Sequence, residues 1–386
     1  VAIYGGFNGT ETQLSERDWV ANETTLSGDI GAGGNADNSY HVIFNNNNGL
    51  TNTAVLDGFT ITSGNANGSS PDDSGGGILN TNGFPKFSNC IFTGNSANVN
   101  GGGISNNTSS SPVITNCAFI GNTAGQFGGA VFNIHSSLPS LTNCTISENT
   151  SMGAIASFNS SFPTITNCII WNNPGGNIIH SVSSGTNVSY SIVEGGYSGT
   201  ANINANPLFV NAAGGDFHLQ DCSLAIDAGT NTGAPTTDLD GNARPFNATG
   251  LNRVDIGAYE AQTVLPGVPM QFGNNVWNVY VWRSGGATLP NANAWSAGYA
   301  GYYVDNSLNI NTEAKWPAAG SPSQANDYQG CTVADDDHSY SYKRKGFPAS
   351  SYQLNVDNHD DSAELWINGT KVWEHSDCCD AHANVW

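Results

Sequence analysis

Four segments of the chain repeat nearly the same pattern: a proline, a short alternating apolar run and an Asn-Cys pair. They span residues 84–92, 111–119, 138–146 and 162–170, and their cysteines lie 27, 27 and 24 residues apart. A repeat of this length that returns the same residue to the same place is typical of a solenoid. Short period-2 runs bounded by Gly, Asn and Pro predict strands rather than helices. The sequence therefore predicts an all-β fold, with a right-handed parallel β-helix over residues 1–205 whose coils stack about 4.8 Å apart.

Stacked coils place like side chains over one another, so each repeated residue predicts a column along the solenoid. Asparagines in a column can hydrogen-bond to the coils above and below and satisfy backbone groups in a turn. Two states are open for the cysteines, namely disulfides between coils or a buried, reduced column of small hydrophobes. Parallel inward Cβ vectors favour the reduced column. The predicted columns are Asn89, Asn116, Asn143 and Asn167, and Cys90, Cys117, Cys144 and Cys168.

The net charge is −21, although only 11% of the residues are charged. Because the chain has neither a basic patch nor a polybasic run, it predicts no binding to nucleic acid or to anionic membranes. No apolar run approaches the length that spans a bilayer, so we expect no membrane insertion. The richness in Asn, Thr and Gly, with little lysine, indicates an extracellular protein.

Acid–base chemistry has few candidate residues in the solenoid. Between residues 86 and 194 the only charged residues are Lys86, Glu148 and Glu194. Carbohydrate-cleaving enzymes need clustered carboxylates, or a carboxylate–calcium site with a base. The chain also has no nucleophile motif, phosphate loop or zinc-ligand spacing. We therefore predict a protein that is not an enzyme and has no organic cofactor. A polysaccharide lyase or glycoside hydrolase on a β-helix scaffold remains an alternative.

The pattern changes at residues 206–262. This segment resembles the choice-of-anchor-like terminal module of bacterial β-helix surface proteins, through Asn206-Pro207-Leu208-Phe209, Asp227-Ala228-Gly229, Asp240-Gly241-Asn242 and the run from Asp255 to Glu260. The resemblance implies an exported polypeptide at the bacterial cell surface. We expect the segment to cap the last open edge of the solenoid, which would otherwise pair with other chains.

The same module contains a candidate metal site. Asp238, Asp240 and Asn242 have the spacing of a short calcium loop. The alternative is structural, with Asp240 and Asp255 forming salt bridges to Arg244 and Arg253.

A composition shift marks a second domain at residues 270–386, after a linker at 263–269. Seven of the nine tryptophans lie beyond the linker. The run 356–375 resembles PA14-like modules of adhesins, glycosidases and lectins, through Asp360-Asp361, an alternating strand and a hairpin turn at Asn368-Gly369. The resemblance implies a β-sandwich-like domain, which we expect to be truncated at Trp386.

The lectin branch of that family implies calcium-dependent sugar binding. If the ligand positions of that family are transferred to this chain, Asp360 and Asp361 would be Ca²⁺ ligands. Two carboxylates on one loop suit this ion. Exposed aromatic faces could stack on sugar rings, and the candidates are Trp366, Trp373 and Trp386. The alternative is a solvated turn without a ligand. A second acidic cluster, at 335–337, is interpreted as a solvated loop.

Three cysteines of the second domain predict one disulfide. Cys331 is expected to pair with Cys378 or Cys379, which leaves the third cysteine free or paired with a residue outside the chain. The lectin branch also has such a Cys-Cys pair.

Together these features predict an extracellular bacterial adhesin, in which a β-helix spacer presents a glycan-binding domain. Its expected partners are cell-surface or extracellular glycans. The first alternative is a structural subunit of a cell-surface filament, formed by self-assembly.

Overall fold

The structure is a computed structural model that describes residues 1–386 except 32–33, 177, 250, 269, 284–297, 317–319, 335–337, 357–362, 377–380 and 384. The chain divides into two compact units, Val1–Thr263 and Val264–Trp386.

Unit 1 is a parallel β-solenoid with three long sheets, A, B and C, and one short sheet, D. Every pair of neighbouring strands in these sheets is parallel, as the repeat predicts. Sheet A contains, in order, Ala2–Tyr4, Val55–Asp57, Lys86–Ser88, Val113–Thr115, Ser140–Thr142, Thr164–Thr166 and Asn187–Ser189. Sheet B contains Thr25–Ser27, Thr60–Thr62, Ile91–Thr93, Ala118–Ile120, Thr145–Ser147, Ile169–Trp171 and Ile192–Val193. Sheet C contains Ile43–Asn46, Ile78–Thr81, Ile104–Asn107, Val131–Asn133, Ile155–Phe158 and Ile179–Val182, and sheet D contains Asn65–Ala66, Ser96–Ala97 and Thr123–Ala124.

Like residues stack in register along the interior. Phe92 and Phe119 occupy the same position in neighbouring strands of sheet B, and their rings stack 4.5 Å apart at 3°. Ile114 and Leu141 do the same in sheet A and are fully buried. Burial of each such side chain stabilises the fold by about 1.5–3 kcal/mol. The core is therefore a set of apolar columns rather than a central cluster.

Glycine-rich loops lie on the outer face of the middle strands of sheet C. They begin at Gly75, Gly101 and Gly128, whose φ angles of 81°, 67° and 68° are left-handed. A Cβ on Gly128 would lie 2.6 Å from the carbonyl oxygen of Val131, so a side chain has no room there. The outward side chains beneath these loops are consequently buried, as at Leu79 and Phe132. The repeated glycines thus allow a second layer to lie directly on the sheet.

The rest of unit 1 is irregular apart from short elements. The 3₁₀ helices are Leu14–Glu16, Asn35–Asp37 and Ala212–Gly214, and the strands Phe209–Asn211 and Asp216–Leu219 form an antiparallel pair.

Unit 2 is a smaller, separate β domain, which confirms the all-β prediction. Its five-stranded sheet contains, in order, Gly273–Asn274, His338–Lys345, Trp277–Arg283, Tyr299–Asp305 and Gln329–Gly330. A separate hairpin pairs Ala363–Ile367 with Thr370–His375. Two short helical elements, Thr312–Lys315 and the 3₁₀ helix Pro322–Gln324, complete the described part.

The predicted linker packs against this sheet instead of standing free. Leu265 is buried with Tyr280, Trp282 and Tyr299. The hydroxyl of Tyr299 also donates a 2.6 Å hydrogen bond to the carbonyl oxygen of Pro266. An apolar segment next to an aromatic sheet lowers its free energy by burial, and this segment lies within the compact unit Val264–Trp386.

Candidate functional site

The asparagine column predicted from the repeat forms a docking strip for another part of the chain. We call Asn89, Asn116, Asn143 and Asn167 the asparagine strip; their φ angles lie between 50° and 55°. Within the strip, Asn116 donates to Asn89 Oδ1 at 3.2 Å and Asn167 donates to Asn143 Oδ1 at 3.1 Å. Asn116, Asn143 and Asn167 also donate to residues 228–260, the cap segment, whereas Asn89 donates to Asp57 Oδ1 at 3.0 Å.

Cap-segment carbonyl oxygens accept these bonds one rung after another. Asn167 Nδ2 donates to the carbonyl oxygen of Thr230 at 2.8 Å, and Asn143 Nδ2 donates to that of Asp255 at 3.0 Å. Asn116 Nδ2 bonds the carbonyl oxygen of Thr237 at 2.5 Å. The segment therefore runs along the side of the solenoid.

The expectation that residues 206–262 close the last edge stays a prediction. At the ends of sheets A and B the chain directly after the last strands pairs with them, since Ile203 bridges Ile192 and the amide of Tyr190 donates to the carbonyl oxygen of Thr200 at 2.8 Å. The sequence suggested an end cap because an open edge needs protection. It did not reveal that outward-turned asparagines offer a row of amide donors to an irregular segment.

The outer face of sheet B is covered by the cap segment. Leu239 and Ala258 form a buried apolar cluster with Ala118, and Tyr259 packs against it. The amide of Ala258 donates to Thr145 Oγ1 at 3.0 Å.

A buried ion pair anchors the cap segment. Arg244 Nε bonds Glu260 Oε2 at 2.8 Å, and both side chains are fully buried. Burial raises the pKa of Glu260, against the lowering effect of Arg244. Burial, together with the charge of Glu260, also raises the pKa of Asp255 well above its ordinary value.

The salt bridges predicted for this region are wrong in their partners. Arg244 pairs with Glu260 rather than with Asp240 or Asp255. Arg253 donates to the carbonyl oxygens of Ala228 and Gly229. The spacing along the chain did not predict these pairs because the cap segment folds back on itself, which brings Glu260 beside Arg244.

The predicted calcium loop is held by amide donors. The fully buried Asp238 carboxylate accepts from the backbone amides of Asp240 at 3.0 Å, Asn242 at 2.7 Å and Glu260 at 2.9 Å. Oxygens engaged in this way do not present converging lone pairs to an ion. Among the residues that the structure describes, no group of three His, Cys, Asp or Glu side chains is arranged to hold a metal. The geometry favours a structural turn.

A histidine bridges two acidic residues beside this turn. His218 Nδ1 lies 2.6 Å from Asp216 Oδ1, and His218 Nε2 lies 2.5 Å from Asp240 Oδ2. The bond to Asp240, with that to Asp216, raises the pKa of His218 to about 9 despite partial burial. The imidazolium therefore ties the strand Asp216–Leu219 to the Asp238 turn at neutral pH, a pairing that the sequence analysis missed.

The four column cysteines are free, fully buried thiols. Burial raises the pKa of Cys117 and Cys168 well above the ordinary value. Cys331 is disulfide-bonded, and so is Cys222, which the sequence analysis had left without a role. Cys378 and Cys379 lie outside the described residues.

Two further asparagine ladders escaped the sequence analysis. One is fully inside the solenoid, where Asn95 donates to Asn122, Asn122 to Asn149 and Asn149 to Asn173, each at 2.9–3.0 Å. The signal was present, because an asparagine follows each repeated cysteine by five residues. The other runs through sheet C, with Asn80 donating to Asn106 at 3.0 Å.

The tryptophan-rich hairpin of unit 2 carries two of the predicted glycan contacts. Trp366 is half-buried; its Nε1 donates to Glu364 at 2.8 Å, and Lys371 lies 5.9 Å above its ring. Trp373 lies 5.2 Å from the His382 ring.

The structure describes only some of the other residues predicted to be functional in unit 2. Trp386 is 51% exposed. Asn368 and Gly369 form the hairpin turn with positive φ angles, as predicted. Asp360, Asp361 and the acidic cluster at 335–337 lie outside the described residues.

Comparison with known proteins returned no match to any family model, curated protein or solved structure. No helix in the described ranges is long and apolar enough to cross a bilayer.

Proposed function

We propose that this chain is a non-enzymatic extracellular adhesin of the bacterial cell surface, in which the β-solenoid is a spacer and unit 2 binds glycans. The choice-of-anchor-like and PA14-like resemblances belong to this proposal, as does a Ca²⁺ site at Asp360 and Asp361. The observation that carries it is the contrast between the two units. Solenoid carboxylates such as those of Asp57 and Glu194 are engaged in structural bonds, while unit 2 presents partly exposed tryptophans.

The surroundings of the tryptophans support sugar contact. Trp373 and the 51% exposed Trp386 offer aromatic faces near the same end of unit 2, because the carbonyl oxygen of Trp386 accepts from Leu354 while His382, beside Trp373, pairs with Val356. Aromatic side chains with an apolar face and a polar rim are suited to ligands that are partly wet.

The placement of the solenoid carboxylates supports a spacer over an enzyme. Glu148 and Glu194 follow sheet B strands two rungs apart, which separates their backbones by about 10 Å. Carboxyl groups lie about 5–5.5 Å apart in a retaining glycosidase and about 6.5–9.5 Å apart in an inverting one, so this separation argues against the retaining class alone. Glu194 is moreover bound by the backbone amide of Asn172 at 2.7 Å.

A glycan array probed with the full chain, with and without EGTA, tests the proposal. We expect binding that Trp373→Ala and Trp386→Ala reduce at least tenfold, while Trp171→Ala, in the solenoid, leaves it unchanged. Loss of binding in EGTA would support the calcium site.

Three results would overturn the proposal. The array could show no binding, or binding that neither unit 2 variant changes. Release of reducing or unsaturated sugar ends from polysaccharides would favour the hydrolase or lyase. Regular end-to-end particles in negative-stain images, without glycan binding, would favour the filament subunit.

A further inference from the structure

The three long sheets of the solenoid differ in what covers their outer faces. The cap segment covers sheet B, and the glycine-rich loops cover the middle strands of sheet C, so outward side chains such as Ala118 and Phe132 are buried. In sheet A, the outward residues Val113 and Thr164 remain exposed. Sheet C leaves outward residues exposed on its two end strands, at Phe44 and Val182, whereas the outer face of sheet A stays open along rungs in the middle of the solenoid.

This open face is ordered in columns along the rod. The residue before each sheet A proline forms a ridge in which Phe84, Leu138 and Phe162 are 43%, 51% and 49% exposed. The third residue of each strand forms a parallel column of hydroxyls, since Thr115, Thr142 and Thr166 are in register. Each column therefore recurs at the rung spacing of about 4.8 Å, and the two columns lie four residues, roughly 13 Å, apart along each coil, with Ser140 and Thr164 between them.

From Val113 onward the face is also neutral, although the chain has a net charge of −21. From Val113 to Ser189, the strands of sheet A contain no charged residue. At its earlier end, the charge of Asp57 is balanced by Arg17, 2.5 Å away, and Lys86 adds one positive charge on the next strand. Neutrality removes the attraction that would select a cationic partner. The acidic chain as a whole repels polyanions such as nucleic acids.

We propose that this face binds the flat side of a neutral, β-linked polysaccharide. A surface that repeats the same groups at a fixed interval is matched best by a polymer that also repeats, rather than by the irregular surface of a folded protein. The apolar ridge suits the C–H faces of pyranose rings, and the threonine column suits their equatorial hydroxyls. The solenoid then takes part in adhesion itself, independently of the glycan site proposed on unit 2.

Co-sedimentation of the full chain with microcrystalline cellulose and with chitin tests this inference. The variant L138S/F162S removes the ridge, and Ser111 already occupies that column in the native chain, so serine is compatible with the fold. T142V/T166V removes hydroxyls while keeping β-branched strand residues. Met152→Ser is the matched control, because Met152 is 55% exposed outside sheet A.

We expect both double variants to weaken binding to at least one of the two polymers at least tenfold, while M152S, W373A and W386A leave it unchanged. Circular dichroism should show the native spectrum for all. The inference is overturned if the wild type stays in the supernatant, or if the double variants bind as it does. It is also overturned if only the unit 2 variants lose binding, which would leave the proposed function intact. Dimerisation that L138S/F162S abolishes, without polysaccharide binding, would assign the face to a second copy.

Discussion

Arg244 Nη1 donates a 3.1 Å hydrogen bond to Oδ1 of Asn116, a residue 128 positions earlier in the chain. Through this bond, the ion pair of Arg244 with Glu260 is connected to the asparagine strip. The asparagine strip, whose members stack because the coils repeat, therefore also holds the cap segment, which does not repeat. Four predictions test this arrangement and the chemistry around it.

Removal of the guanidinium should destabilise unit 1 strongly. In Arg244→Met the Glu260 carboxylate is left buried without its partner, so we expect the free energy of unfolding to fall by about 3–5 kcal/mol at pH 7. The double variant R244M/E260Q should lose less, because it buries no uncompensated charge. Since burial raises the pKa of Glu260, the deficit of R244M should shrink as the pH is lowered and the carboxyl is protonated. Urea unfolding followed by circular dichroism measures this. Equal deficits in the single and double variants would contradict it.

The asparagine strip offers a matched pair of positions. Asn143→Ala leaves the carbonyl oxygen of Asp255 without this donor, while that of Gly257 keeps its bond from Arg244 Nη2, so we expect a loss of about 1–3 kcal/mol. Asn89 has nearly the same φ, 50° against 51°, but bonds Asp57 rather than the cap segment. Asn89→Ala controls for backbone strain and should cost about half as much. Limited proteolysis should cut the cap segment first in N143A. Equal stability of both variants would refute the docking role.

His218 should make stability depend on alkaline pH. Its folded pKa is raised from 6.5 to about 9, so its stabilising contribution is fully present below about pH 6.5 and is lost as the pH rises through about 9. The bond to His218 lowers the pKa of Asp216, and this contribution is lost as the pH falls through that lowered value. Because the imidazole is half-exposed, we expect on the order of 1 kcal/mol. Thermal unfolding between pH 6 and pH 10 should show the decline in wild type and little of it in His218→Gln. Parallel profiles would contradict the bridge.

Buried thiols should be unreactive until the solenoid opens. Thiolates are the reacting species, and burial raises the pKa of Cys117 and Cys168. Iodoacetamide at pH 8 should therefore leave the four column cysteines unmodified in native protein and label them all in guanidinium. Cys222 and Cys331 should remain unlabelled without reductant, because they are disulfide-bonded. Mass spectrometry of the peptides decides this; rapid native labelling of Cys117 would show that the column is accessible.

What could be predicted from sequence follows from periodicity. The Asn-Cys repeat predicted parallel strands, the buried column of Cys90, Cys117, Cys144 and Cys168, and the stacking of the asparagines. These are local consequences, since each coil contacts mainly its neighbours. The ladder of Asn95, Asn122, Asn149 and Asn173 was equally predictable from its fixed distance to the cysteines. Asn368-Gly369 predicted its hairpin turn for a similar local reason.

Tertiary structure decided the contacts between segments that do not repeat. The path of the cap segment along the asparagine strip, the pairing of Arg244 with Glu260 and the bridge of His218 between Asp216 and Asp240 join residues whose spacing carries no period. The docking of one segment also determined which sheet face stays open. The sequence by itself thus determined the solenoid, because a periodic chain lowers its free energy by stacking similar side chains in neighbouring coils. Which side of the rod meets solvent depended on the fold, because that choice follows from long-range burial and from buried charges that must find a partner.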